Sequence, residues 1–85
     1  MTNRNEIEAY ATATWSDVEA VTMVGTTPRV EIAGKAYGNG YDVYLAFANG
    51  KLVEENADGD CCKAIAEALM KKFKLKDLIV SGYYD

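Results

Sequence analysis

Few side chains in this sequence are suited to covalent or acid–base chemistry. Histidine is absent and serine occurs only as Ser16 and Ser81, so neither a Ser-His nor a Cys-His nucleophile pair can be assembled. The remaining carboxylates, tyrosines and lysines form no convergent acid–base set, and the chain is expected to be non-enzymatic. Its cysteines, Cys61 and Cys62, are adjacent. In a first helical turn their side chains project about 100° apart. A bridge would distort that turn, and they are expected as reduced, small apolar helix residues with no redox or metal role. The run Glu54 to Asp60 is rich in carboxylates, but its spacing is not that of an EF-hand loop. Acids placed just before a helix complement its dipole instead. Gly38-Asn39-Gly40 has the glycines of a phosphate loop, yet it stands between two strands rather than before a helix, and so reads as a turn. Lys71, Lys72, Lys74 and Lys76 sit at a helix end, where ammonium groups suit the C-terminal carbonyls. No cofactor is expected.

The chemistry that remains is recognition. If Val30, Ile32, Val43 and Leu45 face a core, strand alternation puts Tyr37, Tyr44 and Tyr83 on the opposite face of the sheet. Glu31 and Asp42 lie beside them. Tyrosines on an open face are amphipathic anchors of the kind enriched at protein interfaces, so these five residues are the expected binding set. The plainer alternative is ordinary cross-strand pairing on a solvated face.

The elements that must position these residues are clearest between Tyr41 and Phe73. Tyr41 to Phe47 alternates, with Val43, Leu45 and Phe47 on one side and Asp42, Tyr44 and Ala46 on the other. Asn49-Gly50 is a strong type I′ hairpin signal because both residues tolerate positive φ. Lys51 to Glu55 then forms the returning strand. From Asp60 to about Lys74, Cys62, Ile65, Ala66, Leu69 and Phe73 recur at helical spacing, with Lys63, Glu67, Lys71 and Lys74 opposite. Asp58 or Asp60 is the expected N-terminal cap. Pro28 opens an earlier strand that runs through Val30 and Ile32 to Tyr37, with Gly34 a candidate bulge. Gly38 to Gly40 turns it into the next strand, giving two successive hairpins. Leu78-Ile79-Val80 suits a fourth strand or a docked tail.

Residues 3–24 admit two readings. Asn3 with Glu6 and Ser16 with Glu19 resemble capping boxes, Ile7, Ala11, Trp15 and Val18 lie at helical spacing, and Gly25 would end a helix, so helix is preferred. Ala9 to Trp15 also alternates as a strand would, and the β-branched Val18, Val21, Thr22 and Val24 draw the second half away from helix.

Eighty-five residues form one domain, ordered from about residue 4 to residue 84, with room for a single modest core. Thirteen acids against nine bases leave a net charge of −4, so neither nucleic acid nor an anionic membrane is an expected partner. No apolar run has the length of a membrane span and no signal-peptide pattern opens the chain, so a cytoplasmic location is expected. The expected fold is α+β: an antiparallel meander of three to four strands packed against a C-terminal amphipathic helix and an N-terminal helix, in the order α-β-β-β-α-β.

That order resembles the double-stranded-RNA-binding domain over residues 28–73, where Asn49-Gly50-Lys51 through Asp58-Gly59 to Ala68-Leu69 is similar to the family's third strand and second helix. The family's phosphate-binding lysines are replaced by Asp60, Cys61 and Cys62, so the resemblance implies topology and not RNA binding. The same segment, extended through Leu78–Tyr84, resembles one strand–strand–helix–strand half of the regulatory domain of isopropylmalate synthase-type enzymes. The glycine- and proline-bearing approach to that family's helix is not matched. The expected function is a small protein-interaction module, with an acidic, phage-type inhibitor as one form of it. The alternative is a small-ligand or regulatory domain that dimerises through its sheet.

Overall fold

A computed structural model describes residues 3–35, 40–56 and 59–84. The elements run α1 (Arg4–Thr14), β1 (Val18–Val24), β2 (Thr27–Gly34), β3 (Tyr41–Ala48), β4 (Lys51–Glu55), a 3-10 turn (Gly59–Cys62), α2 (Lys63–Phe73) and β5 (Leu78–Tyr84). The fold is α+β, and among the described residues one sheet has five strands in the order β1-β2-β5-β3-β4. No helix among the described residues is long and apolar enough to cross a membrane.

The N-terminal helix begins where the capping signal placed it, with Asn3 Oδ1 accepting from the Glu6 N–H at 2.9 Å. It stops at Thr14, however, and the preferred helical reading of the following residues is overturned: Val18–Val24 is a strand. Ser16 and Glu19 form no capping box. The β-branched residues decide this segment, since each loses side-chain freedom in a helix and fits a pleated surface. Gly25, with φ 64°, lies in the turn that pairs β1 with β2 rather than at a helix end.

The meander also needs correcting. β5 enters between β2 and β3, parallel to β2 and antiparallel to β3, so the sheet is mixed and β2 and β3 form no hairpin. Pro28 is compatible with an inner strand because β2 begins to pair with β5 only at Arg29. Gly34 is not a bulge. The register slips in β1, between Val18 and Ala20, and at the β3–β4 pair, between Ala46 and Phe47. The strand expected to reach Tyr37 ends at Gly34; Tyr37 and the Gly38-Asn39 turn lie outside the described residues.

Asn49 and Gly50 turn β3 into β4 with φ of 53° and 78°, as the turn chemistry required. The tip is anchored from the far side of the chain, for Gly50 N–H donates to the Lys76 carbonyl at 2.8 Å and Asn49 N–H to Asp77 Oδ1 at 3.1 Å.

Both helices lie on one face of the sheet. Ile7 and Ala11 of α1, and Ile65, Ala66 and Leu69 of α2, join Val21, Val30, Val43, Leu45, Leu78 and Val80 in one buried cluster. Phe73, expected in that stripe, is half-buried at its margin, where its ring meets Tyr10 edge-on at 5.8 Å. Lys72 caps this contact, its Nζ 4.5 Å above the Tyr10 ring. Among the described residues no helix lies on the opposite face of the sheet.

Candidate functional site: the open sheet face

The register sets three strands side by side. Glu31 of β2, Ser81 of β5 and Tyr44 of β3 form one row; Ala33, Tyr83 and Asp42 form the next; Arg29, Ile79 and Ala46 form the row on the other side. Alternation turns all nine away from the core, because their neighbours Val30, Ile32, Val80, Val43 and Leu45 are the buried ones. Four of the five expected binding residues are therefore together: Tyr44 and Glu31 half-buried, Asp42 exposed and Tyr83 51% exposed. Tyr37, the fifth, lies outside the described residues.

Three further members of the face lie outside the expected binding set. Arg29 leans across the strands and donates from Nε to Ser81 Oγ at 2.7 Å. Ser81 is the buried polar residue at the centre, 6% exposed. Glu19 reaches the same surface from β1. These residues, with Glu31, Asp42 and Tyr44, line a shallow depression of about 380 Å³. Strand parity held the signal, since Arg29 is two residues before Glu31 and Ser81 two before Tyr83. The adjacency of β2 and β5, on which the contact depends, was not readable locally.

Among the described residues, the ion pairs are Arg4–Glu8, Lys63–Glu55 and Lys63–Asp60. Arg29 makes none of them, although Glu19, Glu31 and Asp42 line the same depression. Its Nε is taken by Ser81, and that bond holds the guanidinium down on the sheet. Asn56 supports the neighbouring strand: its side-chain amide donates to the Asp42 carbonyl at 2.9 Å and accepts from the Tyr44 N–H at 3.3 Å.

The other chemical candidates are placed differently. Cys62 is wholly buried and Cys61 exposed, with sulfurs 3.6 Å apart and unbridged. Cys62 Sγ is 3.8 Å from the Tyr84 hydroxyl, which donates to Asp17 Oδ2 at 3.4 Å. Burial pushes the Cys62 thiol up to about 12 and raises Tyr84 as well. Both therefore stay protonated at neutral pH, and Cys62 behaves as a core residue. Asp60 does not cap α2, whose N-cap position is Cys62 without a side-chain bond. Instead it pairs with Lys63 at 3.0 Å, and that ammonium lowers its carboxyl below the ordinary value. Asp58 lies outside the described residues. Among the described residues no group of three potential ligands is arranged to hold a metal.

Geometry and charge thus bring aromatic, acidic and guanidinium groups together on the face that neither helix covers. No family model, curated protein or solved structure matches the chain.

Proposed function

We propose that this chain is a cytoplasmic, non-enzymatic protein-interaction module whose open sheet face takes a protein partner. The observation that carries the reading is the grouping of Tyr44, Tyr83, Glu31, Asp42 and Arg29 around the buried Ser81, on a face neither helix covers. The tyrosines supply apolar area with a polar tip. Arg29 is already ordered by Ser81, which lowers the entropy lost when it meets a carboxylate or carbonyl. Glu19, Glu31 and Asp42 outnumber Arg29 in the depression, so a partner presenting basic side chains is favoured. A small acidic inhibitor of the phage type, occupying the nucleic-acid-binding surface of its target, is the form of this reading with a distinctive mark: binding that weakens steeply with salt.

The test is cross-linking and affinity capture with the wild-type chain and with Tyr44→Ala, Tyr83→Ala and Asp42→Ala, at low and high salt. Partners of the face are lost with these variants and kept with Val53→Ala, an exposed change on β4. Capture unaltered by all three face variants defeats the reading.

The small-ligand alternative draws on a second depression, of about 260 Å³, where Arg4, Lys74, Lys76 and Asp77 meet near Met23. Its cations suit a small anion. A thermal-shift screen decides it, because a ligand at 100 times its dissociation constant stabilises a fold by about 2.7 kcal/mol.

A further inference from the structure

The two edges of the sheet are closed in different ways. At β4 the guard is charge and irregularity: Lys51, Glu54 and Glu55 occupy a strand of five residues, and the register slips opposite Ala46 and Phe47. Such edges resist the addition of another strand. β1 carries a charge, Glu19, and a register slip only at its start, between Val18 and Ala20; beyond them Ala20 to Val24 is evenly paired with β2, uncharged and without proline, and Thr22, Met23 and Val24 are exposed. A strand of this kind is a template for another one.

Among the described residues, an ion pair from α1 meets β1 at this edge. Arg4 Nη1 donates to the Val21 carbonyl at 2.9 Å, and the Val21 N–H donates to Glu8 Oε2 at 3.0 Å. Arg4 Nη1 and Glu8 Oε2 are themselves 2.9 Å apart, one helical turn along α1. Val21 is opposite Val30, and these two backbone groups are the ones it turns away from β2. An added strand would need both, and a side-chain donor and a side-chain acceptor already hold them.

We propose that the Arg4–Glu8 pair is a plug that occupies the strand-pairing groups of Val21 and keeps β1 from adding the β1 strand of a second copy of this chain. The second copy is the favoured occupant because the geometry is self-complementary. An antiparallel pairing about a two-fold axis at Thr22 sets Val21 against Met23 and Ala20 against Val24, with no charge facing a like charge. The same pairing with a β4 edge would bring its charged side chains onto this uncharged run.

The test uses the full chain. The side chains of Arg4 and Glu8 are 41% and 34% exposed, so Glu8→Ala opens no core cavity. Sedimentation velocity over a wide concentration range and amide hydrogen exchange at Val21 are the readouts. In the wild type the Val21 amide is protected although it lies on an edge. Glu8→Ala loses that protection in dilute solution and self-associates at least tenfold more strongly than the wild type, with the Val21 and Met23 amides becoming protected in the dimer. Glu8→Gln, whose amide oxygen can still accept from Val21, behaves as the wild type. Adding Thr22→Lys to Glu8→Ala sets two ammonium groups against each other across the axis and abolishes the dimer. A folded Glu8→Ala chain that sediments as the wild type at every concentration overturns the proposal, as does a dimer indifferent to Thr22→Lys. Failure of Glu8→Ala to fold also overturns it, since the pair would then be bearing the fold rather than guarding an edge.

Discussion

Gly82→Ala is the sharpest perturbation of this architecture, because it acts on the strand that was inserted. A Cβ at position 82 would overlap the Ile32 carbonyl oxygen and stand 2.7 Å from Ile32 N and C. All three atoms are backbone, so no side-chain rotation relieves the clash. β2 and β5 must part by about 1 Å or more at this rung, which takes their ladder bonds beyond the roughly 3.5 Å at which a hydrogen bond is lost. Two buried backbone groups left unsatisfied, at about 1–3 kcal/mol each, put the cost near 4 kcal/mol. At roughly 0.05–0.15 kcal/mol per residue, a chain of this length has about 4–13 kcal/mol in all. Urea unfolding followed by far-UV circular dichroism is the assay. With a slope of about 1 kcal/mol per molar for a domain this small, the midpoint should fall by about 3 M or more, or the chain should be unfolded without urea. Gly50→Ala is the comparison: it also departs from glycine, at φ 78°, but its Cβ would have nothing within 4 Å. It should cost only the left-handed backbone penalty, about 1 kcal/mol. Similar midpoints for the two variants would mean that β5 does not run against Ile32, and the open face would have to be redrawn.

The remaining predictions concern the core, the thiols and the alkaline limb. Leu69→Ala, at a wholly buried position of α2, should lose about 3–5 kcal/mol through transfer and cavity terms, while Glu67→Ala on the exposed side should leave the urea midpoint in place; equal midpoints would mean the inward face of α2 is misassigned. Native protein treated with iodoacetamide should gain one adduct, at Cys61, and a second only in urea, read by mass spectrometry. Cys62 is held protonated to about 12, above the ordinary thiol value of 9.0, so the folded state keeps a proton that the unfolded chain releases. Stability should therefore be full below about pH 9 and decline from there toward pH 12, with Tyr84 acting in the same direction. Melting temperatures from pH 7 to pH 10.5 should show a shallower decline in Cys62→Ala; an identical slope would remove the thiol from the account.

What could be read from the sequence was local. The alternation of Tyr41 to Phe47, the turn at Asn49-Gly50 and the apolar stripe from Cys62 to Leu69 each depend on near neighbours, and each is realised in the fold. Val18 to Val24 was ambiguous for the same reason. Ser16 and Glu19 have capping-box spacing, and only the β-branched side chains and the partner strand β2 overrule it. The place of β5 depended on pairings with β2 that lie fifty positions apart along the chain, such as Arg29 with Ile79. Leu78-Ile79-Val80 is a short continuous apolar run, which a strand flanked on both sides also shows. Taken alone it suited an edge strand or a tail as well. Parity gathered Tyr44, Tyr83, Glu31 and Asp42 correctly because it needs only the direction of the core. The Arg29–Ser81 bond spans 52 positions and was invisible until β2 and β5 were neighbours.

That insertion bears on how a partner could be met. Had β5 been an edge strand, Ser81 and Tyr83 would stand at the rim of the sheet, and β2 and β3 would bring Arg29, Glu31 and Tyr44 together without a buried hydroxyl between them. With β5 central, Ser81 has a strand on each side and holds Arg29 against the face, while both outer strands carry guards: charge and a register slip on β4, and the Arg4–Glu8 pair on β1. Strand addition, the common way for a sheet to recruit a peptide, is therefore obstructed at both edges. The helical side is committed to the core through Ile7, Ala11, Ile65, Ala66 and Leu69. On the proposed function, a partner would then be met on the face itself, where side chains rather than backbone groups would make the contacts. Specificity should then respond to single changes such as Tyr44→Ala and Asp42→Ala, and hardly at all to changes along either edge.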